Sequence, residues 1–272
     1  MSRIRQVPSL AGGAVRLIEV LKATIVHTVR HDTSSSALGF ISALFKPLAL
    51  LASFYIILSF TPARMLAIRG NTVTFLLTGI FCFLIHTGTI TKVANAVRKS
   101  RSMLHHAPAT IFLYVLSQAF GALYLHLFAA LTIIAVAELS GYPLDILSPR
   151  GLVLPYLLSW ASGLGVGMIL MAIGHRAPTA ADVISTVYIR VQFFTSGKFW
   201  AANVMPAYLS DYAIWNPLLH VIDQMRGAAF RNYFPKFTTI TYPIAFTAIV
   251  LVVGFMTEFW LRRSFSLSQT KR

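Results

Sequence analysis

Six separate stretches of mainly apolar residues, 38–60, 72–91, 109–137, 152–174, 183–200 and 242–261, dominate this chain of 272 residues. About 20 such residues in a helix cross the hydrocarbon layer of a membrane. Inside lipid no water bonds the backbone, so each stretch must satisfy its own amides and carbonyls, which a helix does. Composition agrees: 56% of the residues are hydrophobic and only 11% are charged, against roughly 25% charged in a soluble domain. The expected fold is an all-α integral membrane protein with six transmembrane helices.

The charges fix an orientation. Of 23 Lys and Arg, 14 fall in residues 1–37, 92–108, 175–176 and 262–272, seven in the alternate loops when Lys198 at the end of the fifth stretch is counted with them, and Lys46 and Arg190 within apolar stretches. Basic loops stay inside, so both termini are expected in the cytoplasm of a multi-pass membrane protein. Residues 1–37 form a basic cytoplasmic segment unlike a cleaved signal. In it Ala14, Ile18, Leu21, Ile25 and Val29 make an apolar stripe with Arg16, Lys22 and Arg30 off it, the pattern of an amphipathic helix on the membrane surface. The expected division is 1–37, a six-helix transmembrane domain over 38–261 with an insertion at about 201–241 on the outer side, and a cytoplasmic tail over 262–272.

Several chemistries are excluded. The net charge of +15 is spread between apolar stretches, which suits membrane lipid headgroups and no nucleic acid. A lone cysteine, Cys82, cannot form an intrachain disulfide. Residues Ser196, Gly197, Lys198 and Phe199 lack the glycine and hydroxyl of a phosphate-binding loop, and no metalloprotease or serine-hydrolase motif is present. His86, His105, His106 and His126 have no carboxylate or cysteine at ligand spacing and read as structural. The chain is therefore expected to hold no catalytic residues, no metal and no cofactor, with any ATP hydrolysis on a separate subunit.

Ionisable residues within spans are costly and need a reason. Lys46 is close enough to the headgroups to snorkel. Arg190 is central in the fifth stretch and is expected to point inward with Phe193 and Phe194, lining a cavity. The opposite face carries Tyr188, Gln192, Thr195 and Phe199. Between stretches five and six, Asn216 can cap a helix that Pro217 starts. Leu218, Val221, Ile222 and Met225 make its apolar stripe, leaving His220, Asp223 and Arg226 on a polar face expected to meet water or cargo. Asp223 and Arg226, three apart, can pair. About fifteen helical residues reach only roughly 22 Å, so this is a re-entrant or interfacial helix.

The run Trp215, Asn216, Pro217, Leu218, Leu219, His220, Val221, Ile222, Asp223 with Arg226 after it resembles the membrane subunits of type-2 ABC exporters, and among them the capsular polysaccharide export permeases of the KpsM type. Supporting pieces are Phe193, Phe194, Ser196 and Gly197; Gly165 and Gly167; residues 174–178; and residues 103–108. The resemblance implies a homodimer of this chain with two ATP-binding-cassette subunits, and a polysaccharide, lipid-linked in some systems, as cargo. Periplasmic export proteins would be further partners. It also implies a gate built from the helix of Trp215, Asn216, Pro217, His220, Asp223 and Arg226, and ATPase contacts from the loop of Arg98, Lys99 and Arg101. The same architecture would serve a drug, a lipid or a teichoic-acid-like polymer. A polytopic glycosyltransferase or acyltransferase is a remoter alternative, since residues 61–71 offer no acidic base.

Overall fold

The computed structural model describes residues 19, 22–26, 37–59, 71–98, 111–141, 144, 146–205 and 207–270. These form helices α1 (Ala37–Ser59), α2 (Thr72–Ala94), α3 (Ile111–Leu139), α4 (Pro149–Arg176), α5 (Pro178–Thr195), α6 (Ala207–Ala213), α7 (Pro217–Ala229) and α8 (Thr241–Thr270), with a 3-10 turn at Ala202–Val204. Among the described residues there is no strand. Of the expected amphipathic N-terminal helix, only residues 19 and 22–26 are described, and they are helical; the rest lies outside the described residues.

Helix starts follow from local chemistry. Asn71 caps α2 by accepting the Val73 amide at 2.8 Å. Ser148 caps α4 by accepting the Gly151 amide at 3.3 Å, with a proline in the first turn, where its missing N–H costs nothing. Among the described residues four helices are long and apolar enough to cross a membrane: Thr72–Ala94, Ile111–Leu139, Pro149–Arg176 and Thr241–Arg263. The two other expected spans differ in kind. In α1 the apolar described segment is Leu44–Ile56, and α5 is a helix of 18 residues carrying Asp182 and Arg190. The expected fifth stretch, 183–200, overshoots: α5 ends at Thr195 and the chain bends through residues 196–200. At the other end the candidate span is Thr241–Arg263 and α8 continues as helix to Thr270, so the expected tail after 261 is helical through that residue.

Helix α2 is the centre. It is buried along nearly its whole length and touches α1, α3, α4, α5 and α7. An α-helix buried on all sides must be apolar on all sides, and two of its threonines comply by returning their hydroxyls to the helix: Thr78 to the Phe75 carbonyl at 2.8 Å and Thr87 to that of Phe83 at 2.9 Å. Helix α4 lies between α2 and α8. Between lipid-solvated helices there is no hydrophobic drive to associate, so close packing at small residues must serve. On one side of α4, a Cβ at Gly163 would meet the His86 carbonyl oxygen at 2.6 Å; on the other, one at Gly165 would meet Val250 of α8 at 2.8 Å.

At one end of the bundle the amides of Leu147 and Ser148 donate to the Ala229 and Ala228 carbonyls at 3.0 Å each, tying the start of α4 to the end of α7. Gly163→Val is expected to push α2 from α4 at a cost of at least about 1–3 kcal/mol. That is measured as a lower melting temperature of the purified protein, against no change for Leu131→Ala, which is 57% exposed on α3.

Candidate functional site

The chain from residue 196 to residue 240 folds back onto the bundle around α7. Its apolar residues Leu218, Ile222 and Met225 pack on Phe75, Leu76 and Ile80 of α2. The polar side is buried as well, which corrects the expectation that it meets water or cargo: His220 is 5% exposed, and Asp223 and Arg226 are both 0% exposed. The expected ion pair between Asp223 and Arg226 is not made; each group has found other partners.

Those partners come from the segments on either side of α7. Arg226 Nη1 donates to the carbonyls of Gly197 at 2.7 Å and Trp200 at 2.8 Å, and Nη2 to that of Lys198 at 2.8 Å. The guanidinium carbon lies 3.8 Å from the Phe75 ring centre. The Asp223 carboxylate accepts from Thr238 Oγ1 at 2.6 Å and from the Tyr233 hydroxyl. His220 accepts the Thr239 amide on Nδ1 at 3.0 Å and donates from Nε2 to the Ile214 carbonyl at 2.8 Å, which fixes its tautomer. A buried polar group keeps its place when its bonds are made. One face of one helix thus holds the bend after α5, the turn before α7 and the strap before α8. The helix sequence alone cannot reveal this, because every partner is non-local.

The start of α7 is joined to α5. Asn216 caps it by accepting the Leu218 amide at 2.9 Å. Its side-chain nitrogen also donates to Gln192 Oε1 at 2.6 Å and Thr195 Oγ1 at 2.7 Å. From there a chain of donors runs inward: Gln192 Nε2 to the Tyr188 hydroxyl at 2.8 Å, that hydroxyl to His86 Nε2 at 3.0 Å, and His86 Nδ1 to Ser162 Oγ at 3.0 Å. His86, Tyr188 and Gln192 were not among the expected site residues. For Tyr188 and Gln192 the signal was the polar stripe on α5 opposite Arg190; His86, on α2, read as structural.

The remaining expected residues scatter. Arg190 is exposed on α5 and does not point into the protomer, contrary to the inward orientation expected for it. The inward positions belong to Tyr188 and Gln192, whose hydrogen-bond partners lie in α2 and α7. Phe194 is 72% exposed and Trp215 74% exposed, while Phe193 is half-buried. Pro217 is buried in the first turn of α7. Arg98 is exposed just past α2, where it pairs with Asp182 of α5 at 2.8 Å and bonds Asn95. That carboxylate pushes the arginine pKa further up. Lys99 and Arg101 lie outside the described residues. Sequence reasoning also passed over Lys198 beyond its failed phosphate-loop context, yet its side chain is 1% exposed.

Arg226→Ala is expected to orphan three carbonyls, each worth about 1–3 kcal/mol when left buried and unpaired. The amount of folded protein in membranes should fall, and Asp223→Ala should act in the same direction. Normal levels of both variants would contradict the buried arrangement. Gln192→Leu, which breaks the donor chain at one link, should lower the melting temperature by less than Arg226→Ala does.

Residues 19–230 match the ABC-2 type transporter family. The polysialic acid transport protein KpsM of Escherichia coli is 23% identical over 240 residues, covering 87% of this chain and 92% of that protein. The capsule polysaccharide export inner-membrane protein BexB of Haemophilus influenzae is 21% identical over 243 residues, covering 86% of this chain and 88% of that protein. With the match running through α1 to α7 of an all-helical, membrane-crossing chain, this protein belongs to the ABC-2 type transporter family.

Proposed function

We propose that this chain is the membrane-spanning permease subunit of an ATP-driven exporter that moves a polysaccharide from the cytoplasm outward across the inner membrane. The observation that carries the reading is the likeness to KpsM and BexB along almost the full length of both chains. The sequence has no phosphate-binding loop, so ATP hydrolysis belongs to a separate cassette subunit, two copies of which would serve a homodimer of this chain. In this reading α1 and α5 join the four strongly apolar helices as spans, six in all, with both termini cytoplasmic, and the excess of basic residues in alternate loops supports that orientation.

In this reading α7 is a sealed wedge, and the residues able to meet cargo are those exposed beside it. Arg190 and Phe194 on α5, with Phe193 behind them, border the path, and Trp215 stands at its mouth. His220, Asp223 and Arg226 hold the wedge in place. Arg98, just past α2, marks the end where the cassette subunits would dock, and Lys99 and Arg101 follow it in sequence.

Deleting the chain from its host should abolish surface polysaccharide while leaving polymer inside the cell, and re-expression should restore export. Surface polymer unchanged by deletion would reject the reading. Replacing Arg98, Lys99 and Arg101 together by glutamate is expected to abolish co-purification of the cassette subunit while the permease remains in the membrane. Unchanged co-purification would reject that loop as the docking surface.

A further inference from the structure

Lys198 sits in the bend after α5 with its side chain 1% exposed. Its ammonium lies 3.3 Å from the ring centre of Phe83, 3.4 Å from that of Phe193 and 4.6 Å from that of Phe199. It finds no hydrogen-bond acceptor. The other buried ionisable groups of the insertion differ: Arg226 bonds three carbonyls, Asp223 two hydroxyls, and His220 two backbone groups. Ring faces attract a cation, but they do not replace the hydrogen bonds that water gave its three N–H groups. An ionisable residue kept at such a cost in a membrane protein calls for a functional reason.

The surroundings are those of an ion pair lacking its anion. The backbone of Lys198 is fixed, because its carbonyl is held by Arg226 at 2.8 Å. Phe193 and Phe199 are only half-buried, and Phe193 adjoins the exposed Phe194 with ring centres 5.3 Å apart. Two rings therefore separate the ammonium from the exposed side of α5. A cation beside ring faces suits an acidic sugar: the rings stack on its C–H face, and the ammonium takes its carboxylate or phosphate.

We propose that Lys198, with Phe193 and Phe199, is the recognition site for the negatively charged groups of the exported polymer, covered by the two rings in this conformation. The proposal rests on reading the chain as a polysaccharide exporter and narrows the cargo to an acidic polymer. It also gives Lys198 a role opposite to that of a structural brace. Methionine, of similar length and apolar, fits a nest of rings and removes an unpaired buried amine, so Lys198→Met separates the two roles.

The test uses the complete transporter in lipid nanodiscs, with sialic acid oligomers as the anionic probe and glucose oligomers of equal length as the neutral one. Wild type should bind the anionic oligomer at least tenfold more tightly than the neutral one. Lys198→Met should lose that preference while melting at the same or a higher temperature, and Lys198→Arg should retain most of it. Undiminished preference in Lys198→Met, or a lowered melting temperature in that variant, would overturn the proposal and leave Lys198 a structural residue. Wild type that binds both oligomers equally would overturn the site while leaving the exporter reading standing. Wild type that binds neither would remove the polysaccharide reading and the site together.

Discussion

The guanidinium of Arg226, wholly buried and bonded to the carbonyls of Gly197, Lys198 and Trp200, is the interaction on which the insertion depends. A bend in a chain leaves carbonyls that no helix satisfies, and burying them unpaired is prohibitive in a membrane protein. Arg226 meets three at once. The bend itself requires Gly197, whose φ of +71° is one that other residues adopt only with strain. A Cβ there would also come within 2.5 Å of Leu219 Cδ1. Glycine, arginine and the α7 helix are thus parts of one joint, and Asp223 and His220 extend it to the strap before α8.

Helix α5 is attached differently from the rest of the bundle. Of its 18 residues only Ala181 and Gln192 are buried, so little apolar packing holds it. What holds it is polar: Asp182 to Arg98 at one end, Tyr188 to His86 in the middle, and Gln192 and Thr195 to Asn216 at the other. Because Asn216 is also the cap of α7, a displacement of α5 either carries the start of α7 with it or breaks these bonds. Few polar bonds and little burial are the properties of an element that can move at modest cost, whereas α2, packed on all sides, cannot.

The fold class was legible because it follows from a local property. Runs of about 20 apolar residues need no tertiary information to be recognised as helices, and α2, α3, α4 and α8 fall close to where they were expected. The capped start of α7 was legible for the same reason, Asn216 and Pro217 being short-range signals. What sequence could not supply was where polar groups point. Arg190 was assigned inward by aversion to lipid alone, yet the inward face of α5 went to Tyr188 and Gln192, which have partners in α2 and α7. The amphipathic pattern of α7 implies a polar face that meets water, headgroups or cargo. That argument fails when distant segments, here 197–200 and 233–239, arrive with unpaired groups of their own.

Whether α7 is a sealed wedge locked through Arg226 can be read from backbone hydrogen–deuterium exchange of the transporter in nanodiscs. Residues 217–229 should be protected to a degree comparable with α2, while the exposed Arg231, Phe234 and Phe237 exchange early. Exchange of α7 on the timescale of those three residues would contradict the sealed wedge and return its polar face to solvent.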